Sequence, residues 1–387
     1  MMGRSLRSLR PHLKSNSARL VLNRQQQPVI ARRQEGVALI VIVILTTLAL
    51  VLLTGITYRH ELDSASTART LISEQAILLS LSAESWAKSV LVEDGRQNNT
   101  DSMEDLWAQV IPVLPVENGL MTGCIVDMHS RFNLNNLRIL NEQSFLAVEE
   151  DQPGSPLFVY LRLLEGLELD PFPERAAVIV DWIDLNSELV IPSSAEDSEY
   201  SLEEPARLAA NTPLTSVSEL ASVSGYSLAD VATLDDFVTA LPVTTAINVN
   251  TAEPLALMAL SPLIDESVVA GLIELRPFTD VETFYAGIEE QLVVEQLEEI
   301  RRQIPAQLIS VQSEYFELRA QISLAGEEIA LVSLLQRSGR GGIKTLSRSF
   351  SYIPSLQFEE GDINPIQPLC NTNGDSPTED EVEDLLG

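Results

Sequence analysis

The stretch VALIVIVILTTLALVLLTGI, residues 37–56, contains no charged side chain. These 20 residues form about 30 Å of α-helix, which matches the hydrocarbon thickness of a bilayer. Arg32 and Arg33 lie just before the stretch, so the positive-inside rule places the N-terminus in the cytoplasm and the rest of the chain across the membrane. The pattern therefore predicts a protein that crosses the membrane once.

The sequence on either side of this stretch tests what kind of segment it is. An ordinary cleaved secretory signal is excluded by the length of the apolar run and by TYRHELDS, residues 57–64, which offers no small-residue cleavage site. A plain uncleaved anchor fits the hydropathy. RRQEG, residues 32–36, favours a processed segment, because Gly36 lies immediately before the apolar run and has no β-carbon to hinder a peptidase.

The charge of the chain is distributed unevenly. Residues 1–35 hold 8 of the 25 basic residues and 1 of the 56 acidic residues, so the remainder carries 17 basic and 55 acidic residues, a net charge of −38. Non-specific affinity for nucleic acid comes from Lys and Arg side chains at phosphates, so we expect no nucleic acid partner. Divalent cations and basic protein surfaces suit such a body better.

Periodicity outlines the organisation of the body. Apolar residues at spacings of three and four continue the first helix past the membrane as far as Asp94-Gly95. Candidate helices separated by Gly and Pro turns follow: Pro156–Leu167, Pro173–Asp184, Ser216–Val223, Ser227–Leu241, Ala252–Leu260, Asp265–Leu275 and Asp280 to about Ile304. Candidate strands of an antiparallel meander come next: Ser313–Leu324, Glu328–Arg337 and Ile343–Ser351, with a further strand-like run near Cys124.

These patterns predict an α+β fold, in which one long helix packs on an antiparallel sheet and a large all-α domain is inserted between the strands. The predicted segments are a basic leader (1–36), the long helix (37–95, transmembrane over 37–56), the α+β domain (96–150 and 306–357), the inserted helical domain (151–305) and an acidic C-terminal tail (358–387).

The segment DWIDLNSELVIPSSAEDSEY, residues 181–200, concentrates carboxylates. Hard cations such as Ca²⁺ prefer several oxygen ligands, and this density predicts a calcium site. The candidate ligands are Asp181, Asp184, Glu188, Glu196 and Asp197. The segment lacks the acid spacing and the central glycine of an EF-hand, and a solvated acidic loop is the alternative interpretation.

Residues 247–284, INVNTAEPLALMALSPLIDESVVAGLIELRPFTDVETF, look like a helix-hairpin-helix unit. In DNA-binding versions a glycine-containing hairpin presents backbone N–H groups to phosphate. Here the hairpin, Ser261–Ser267, contains no glycine and places Asp265 and Glu266 where the phosphate would lie. We therefore expect the fold without the DNA function.

The cysteine and histidine residues give little support for a catalytic site. Cys124 and Cys370 are the two cysteines, and outside the cytoplasm one disulfide is their simplest interpretation, with two unrelated buried thiols as the alternative. Asp127, His129 and Ser130 are close in sequence, but the members of a catalytic triad normally come from separate segments. We therefore expect no enzymatic activity and interpret His129 as a surface or hydrogen-bonding residue.

The junction at Gly36 resembles the type III signal of type IV pilins and pseudopilins. The resemblance implies that a membrane-embedded prepilin peptidase cuts between Gly36 and Val37 and that the new amine of Val37 is methylated. Most members carry Glu at the fifth mature position, where it pairs with the terminal amine of a neighbouring subunit, whereas this chain has Val41. A subunit at the filament tip has no such partner, although a membrane protein that was never a pilin would also carry valine.

Further segments narrow the resemblance by their order: RFNLNNL (131–137), DWID (181–184), AEDSEY (195–200), AN-x-PL with VSEL (210–220) and INVNTA (247–252). Together they resemble the type II secretion system minor pseudopilin K family over nearly the whole chain. The resemblance implies a pseudopilin fold with a large inserted α-domain, structural calcium, and a tip complex with the minor pseudopilins I and J that starts pseudopilus assembly for export of folded proteins across the outer membrane.

The same resemblance sets the expected partners and location. The partners are pseudopilins I and J, the prepilin peptidase, the major pseudopilin below the tip, and the lipid of the inner membrane, with the N-terminus cytoplasmic and the body periplasmic. An alternative function is a membrane-anchored helix-hairpin-helix DNA-binding protein of a competence or type IV pilus system. A third is a periplasmic hydrolase built around the acidic cluster.

Overall fold

The computed structural model describes residues 37–109, 111–146, 153–202, 204–292, 297–339 and 342–353. The predicted leader with Gly36, the predicted acidic tail and Cys370 lie outside the described residues. The chain divides into two units, Met1–Ser66 and Thr67–Gly387.

The described helices and strands follow one another along the chain. The helices are α1 (Val37–Gln97), α2 (Glu142–Leu146), α3 (Pro156–Gly166), α4 (Pro173–Ile183), α5 (Asp197–Tyr200), α6 (Leu228–Leu234), α7 (Pro254–Leu260), α8 (Glu266–Glu274), α9 (Val281–Leu292) and α10 (Leu297–Gln303). The strands are β1 (Ile111–Val116), β2 (Gly119–Asp127), β3 (Phe132–Asn133), β4 (Val238–Thr239), β5 (Ile247–Asn248), β6 (Ile309–Ser310), β7 (Tyr315–Leu324), β8 (Glu327–Ser338) and β9 (Gly342–Ile353).

Helix α1 is continuous over 61 residues, which confirms the predicted long helix. Its apolar residues 37–56 are exposed. Within the second unit the helix buries a stripe that includes Ala76, Ala83, Ala87 and Leu91. Small side chains at spacings of seven, four and four let a helix approach a sheet closely.

The sheet has five antiparallel strands in the order β1-β2-β7-β8-β9. Alternate side chains of its central strands, among them Ile125, Phe316, Leu318 and Leu331, form one core with the buried stripe of α1. This arrangement confirms the predicted long helix on an antiparallel sheet. The turn between β7 and β8 is built from Ala325 and Gly326 at φ 50° and 85°, the positive angles of a tight hairpin turn.

Strand β1 is an element that the sequence pattern did not predict. Its sequence IPVLPV contains Pro112 and Pro115, which interrupt a hydrophobic alternation. The strand lies at one edge of the sheet, where a missing N–H costs no ladder hydrogen bond.

The helical block between β2 and β7 has a separate core. That core extends from Phe132 to Val311, so residues 132–145 pack with the helices and not on the sheet. The core therefore begins earlier than the boundary predicted after residue 150, because the Asn-rich segment that follows β2 contributes Phe132, Leu134 and Leu137 to it.

Two predicted helices differ from the observed ones in the described residues: Ser216–Val223 forms a short 3-10 helix over Val217–Ser222, and Ser227–Leu241 is shorter than predicted. The helix predicted over Ser227–Leu241 ends at Leu234, and Val238–Thr239 then pairs in parallel with Phe132–Asn133. Asp235 and Asp236 follow the last turn, where acidic residues oppose the helix dipole. The helix predicted from Asp280 to about Ile304 is seen as α9 and α10, and residues 293–296 between them lie outside the described residues.

Candidate functional sites

Helix α1 is the one helix in the described part of the chain that is long and apolar enough to cross a membrane. Val41, at the predicted fifth mature position, is 46% exposed on it. Gly36 lies outside the described residues, so cleavage before Val37 and methylation of Val37 stay predictions.

The segment RFNLNNL uses its asparagines as long-range cross-links. Asn133 Nδ2 donates to the carbonyl of Val243 at 2.7 Å, and Asn136 exchanges two bonds with the backbone of Thr245 at 2.8 and 2.9 Å. Asn135 is 2% exposed and bonds both backbone groups of Leu214 at 2.9 Å and the carbonyl of Leu241 at 2.7 Å. The asparagines therefore satisfy backbone groups about 80 to 110 residues away.

Asp127 is a second buried anchor, where β2 ends. Its Oδ2 accepts hydrogen bonds from Asn248 Nδ2 at 3.0 Å, Thr251 Oγ1 at 2.6 Å and Ser313 Oγ at 2.6 Å. The INVNTA segment thus holds the helical block on the end of the sheet.

The neighbouring His129 has a structural role. Its Nδ1 contacts the carbonyl oxygen of Ala246 at 3.0 Å, and its Nε2 accepts from the N–H of Glu314 at 3.2 Å. The hydroxyl of Ser130 donates to the carbonyl of Asp127 at 2.6 Å. These bonds engage both ring nitrogens with backbone groups, so Asp127, His129 and Ser130 do not form a triad.

The predicted calcium segment folds as a loop between α4 and α5. Asp181 is fully buried, and its carboxylate accepts hydrogen bonds from the N–H of Val190 at 3.0 Å and from the hydroxyl of Ser194. Asp184 is held by Asn186 at 2.7 and 3.0 Å, while Asp197 accepts from the N–H of Ala209 at 2.9 Å. Glu188, the fifth predicted ligand, is exposed.

Glu196 is the predicted ligand in this segment that has a buried carboxylate oxygen without a hydrogen-bond partner. It is 3% exposed, its Oε2 accepts from the N–H of Asp197 at 3.2 Å, and its Oε1 is buried without a hydrogen-bond partner. Burial, followed by the charges of Asp181, Asp184 and Asp197, raises the pKa of Glu196 to about 7. Burial likewise raises the pKa of Asp181 to about 6. An unpaired buried oxygen among repelling carboxylates fits a bound cation, whereas the exposed Glu188 gives no such sign.

A more compact carboxylate group lies elsewhere. Among the residues that the structure describes, Asp94, Asp101 and Asp105 bring one oxygen each within 4.8 Å of one another, which no three of the predicted ligands do. The sequence interpretation missed this group, although DGRQNNTDSMED, residues 94–105, is dense in acids and asparagine.

The segment predicted as a helix-hairpin-helix unit contains the three helices α7, α8 and α9. At the N-terminus of α8, Asp265 Oδ1 accepts hydrogen bonds from the N–H groups of Ser267 and Val268, both at 2.9 Å. The chain's own carboxylate thus occupies the N–H groups that would bind a phosphate.

Cys124 lies on β2, is 8% exposed, and is placed opposite Arg319 of β7. Its predicted partner Cys370 lies outside the described residues, so the pairing stays a prediction.

Comparison with known proteins gives a consistent result. Residues 130–243 match the family model for type II secretion system (T2SS), protein K. The chain is 28% identical to type II secretion system protein K of Aeromonas hydrophila over 323 residues, which cover 82% of this chain and 97% of that protein. It is 29% identical to the protein of the same name from Pseudomonas aeruginosa over 367 residues, 90% of this chain and 99% of that protein.

A solved structure is similar as well. The fold matches a chain of the crystal structure of the GspK-GspI-GspJ complex from the enterotoxigenic Escherichia coli type 2 secretion system, with a TM-score of 0.64 and 25% identity. The match covers 74% of this chain and 99% of that one.

Proposed function

We propose that the chain is a minor pseudopilin of the type II secretion system protein K family, and that it lies at the tip of the pseudopilus and initiates its assembly. It does so in a complex with minor pseudopilins I and J. The observation that carries this proposal is the match of the fold over 99% of a chain from a GspK-GspI-GspJ complex.

The position within the filament follows from Val41. A glutamate at this position would need the terminal amine of a neighbouring subunit, because a lone carboxylate in an apolar filament core costs several kcal/mol. Val41 removes that need. A tip subunit has no neighbour above it to supply the amine, so valine suits the tip, and the major pseudopilin follows below.

The location follows from α1. Residues 37–56 anchor the precursor in the inner membrane, with the basic leader in the cytoplasm and the body in the periplasm. After the prepilin peptidase has cut behind Gly36 and Val37 has been methylated, the helix leaves the lipid for the filament. The chain acts as an assembly component and not as an enzyme, in keeping with the names of its relatives.

Calcium has a structural role in this proposal. Glu196, whose Oε1 has no hydrogen-bond partner, would be the principal ligand, with the charges of Asp181, Asp184 and Asp197 acting on it, and Glu188 would contribute least because it is exposed. A bound ion would supply positive charge to the unpaired Oε1 of Glu196, and would so keep the loop between α4 and α5 closed.

Cleavage is tested by N-terminal sequencing of the full chain from cells that contain the cognate peptidase. We expect a mature terminus at Val37 and loss of processing in Gly36→Val. The matched control is Gly55→Val, since a β-carbon at Gly55 meets nothing within 4 Å. An intact leader on the wild-type chain would contradict the pseudopilin mechanism.

Assembly is tested by co-expression of the mature chain with I and J. We expect the three to co-purify in detergent, and pseudopili to disappear when this chain is deleted. Normal numbers of pseudopili in the deletion strain would contradict a role in initiation.

A further inference from the structure

The end of α1 carries a group of carboxylates that the proposed function does not use. Asp94 lies in the last turn of α1, Asp101 in the loop that follows, and Asp105 just before a short 3-10 helix, Leu106–Ala108. One oxygen of each lies within 4.8 Å of the others. Because calcium bonds to oxygen at about 2.3 to 2.6 Å, one ion can contact oxygens with this separation.

Asp101 independently indicates a missing ligand. Its side chain is 1% exposed. Its Oδ2 accepts from Arg337 and from the N–H of Ser313 at 2.7 Å, whereas its Oδ1 is buried without any hydrogen-bond partner. A buried carboxylate oxygen without a donor is costly, and proteins rarely leave one so.

The charge of the group matches a divalent ion. Arg337 pairs with Asp94 at 3.0 Å and with Asp101, so the three carboxylates and this guanidinium leave two negative charges uncompensated. One divalent cation would balance these two charges.

Asn98 lies within the group. Its Nδ2 is 3.4 Å from Asp94 Oδ1 and 3.0 Å from Asp105 Oδ1. A half-turn of this amide exchanges its nitrogen for its oxygen in the same place, and would turn a donor between two carboxylates into a fourth oxygen ligand.

We propose that Asp94, Asn98, Asp101 and Asp105 bind a divalent cation of the size of calcium, at a site distinct from the segment 181–197. The site lies at a junction of the fold. Asn248 of β5 donates to the carbonyl of Asp101 at 3.0 Å, and Arg337 belongs to β8. A bound ion would thus fix the end of α1, the sheet and the helical block to one another.

The experiment compares Asp105→Asn with Glu104→Gln in the full chain purified in detergent and freed of metal by a chelator. Both variants remove one carboxylate from the same loop, but Glu104 is exposed and is not a proposed ligand. Titration calorimetry with calcium should show one ion fewer per chain for Asp105→Asn and no change for Glu104→Gln. Equal calcium binding by the two variants would overturn the proposal.

A second variant, Asn98→Ala, tests the site even if Asp105→Asn does not fold. Asn98→Ala keeps every carboxylate and should bind the ion about tenfold more weakly, while its circular dichroism spectrum without calcium should show the same folded state as Asn99→Ala, a change at an exposed neighbour. Unchanged affinity in Asn98→Ala would contradict the assigned ligand set.

The variant Glu196→Gln distinguishes calcium binding at Glu196 from calcium binding at the end of α1. If Glu196→Gln binds calcium as the wild type does and Asp105→Asn loses an ion, the proposal stands without the calcium site of the proposed function. If both variants lose different ions, the chain binds at both sites. If only Glu196→Gln loses an ion, the site at the end of α1 is refuted.

Discussion

Glu84 joins α1 to two strands by one carboxylate. The side chain is 2% exposed and accepts hydrogen bonds from Arg348 at 2.6 and 2.9 Å, from Thr345 at 2.7 Å and from Ser333 at 2.9 Å, with Lys88 at 2.6 Å. Burial would raise the pKa of Glu84, but these bonds, first that of Arg348, hold it well below its usual range. The carboxylate therefore fixes the position of α1 along β8 and β9.

Replacement of Glu84 by Gln should lower the free energy of unfolding by about 2 kcal/mol at neutral pH, because charge-assisted hydrogen bonds are lost. A pKa that is lower in the folded state gives stability that is complete above the usual value of 4.5 and is lost as the pH falls through the folded value. The difference between variant and wild type should therefore shrink below about pH 4.

Denaturant titration of the full chain in detergent, at neutral pH and at about pH 3, measures this difference. The matched control is Glu93→Gln on the same helix, whose partner Arg96 is as exposed as Glu93 itself, 59% and 57%. It should change stability by about 0.5 kcal/mol or less. A deficit in Glu84→Gln that does not vary with pH would show that the charge is not what stabilises the contact.

The segment between β3 and α2 is held by amides. Asn135→Ala removes three hydrogen bonds at a site that is 2% exposed, and leaves both backbone groups of Leu214 and the carbonyl of Leu241 without this partner. We expect a loss of about 3 kcal/mol in the free energy of unfolding. Asn99→Ala, at an exposed position, should cost about 0.5 kcal/mol or less in the same denaturant titration. Equal stability of the two variants would contradict the cross-linking role.

The elements that sequence patterns predicted are those with local causes. Helix α1 and strands β7 to β9 follow from periodicity, and the capping residues Ser155 and Ser227 mark the starts of α3 and α6. Strand β1 was not predicted because its two prolines interrupt the alternation of apolar and polar residues that is typical of a strand. The end of α6 depends on the pairing of Val238 with Phe132. That pairing joins residues distant in sequence, which periodicity cannot reveal.

The candidate sites were predictable only in part, for a similar reason. Acid density located Asp181 and Glu196, but it could not show that Glu196 keeps an orphaned oxygen or that Glu188 is exposed. The group around Asp101 is completed by Arg337, 236 residues away. Such partners are set by the topology of the sheet and not by local spacing.

The helix-hairpin-helix unit should not bind DNA. Asp265 caps α8 with its own carboxylate, and the chain has a formal net charge of −31, so neither backbone donors nor counterion release favour a phosphate. The full chain should flow through a DNA column at about 0.15 M salt. Retention on the column that falls steeply as the salt concentration is raised would support the alternative function as a membrane-anchored DNA-binding protein.

The described part of the chain has two large hydrophobic cores and a small third cluster, and one predicted covalent bond ties it to the C-terminal segment. Cys124 lies in the sheet at 8% exposure, and Cys370 is 246 positions later in the sequence. A disulfide that closes so long a loop removes much freedom from the unfolded chain, up to about 5 kcal/mol in the entropic view. The bond would therefore stabilise the molecule as a whole and not one element.

Alkylation followed by intact mass measurement tests this bond. We expect no label on the unreduced chain and two labels after reduction, whereas two labels without reduction would refute the pairing. Cys124→Ser and Cys370→Ser should each lower the melting temperature under oxidising conditions, and the double variant should lose no more than Cys124→Ser alone, because both changes break the same bond. Additive losses would mean that each cysteine stabilises the fold through separate packing.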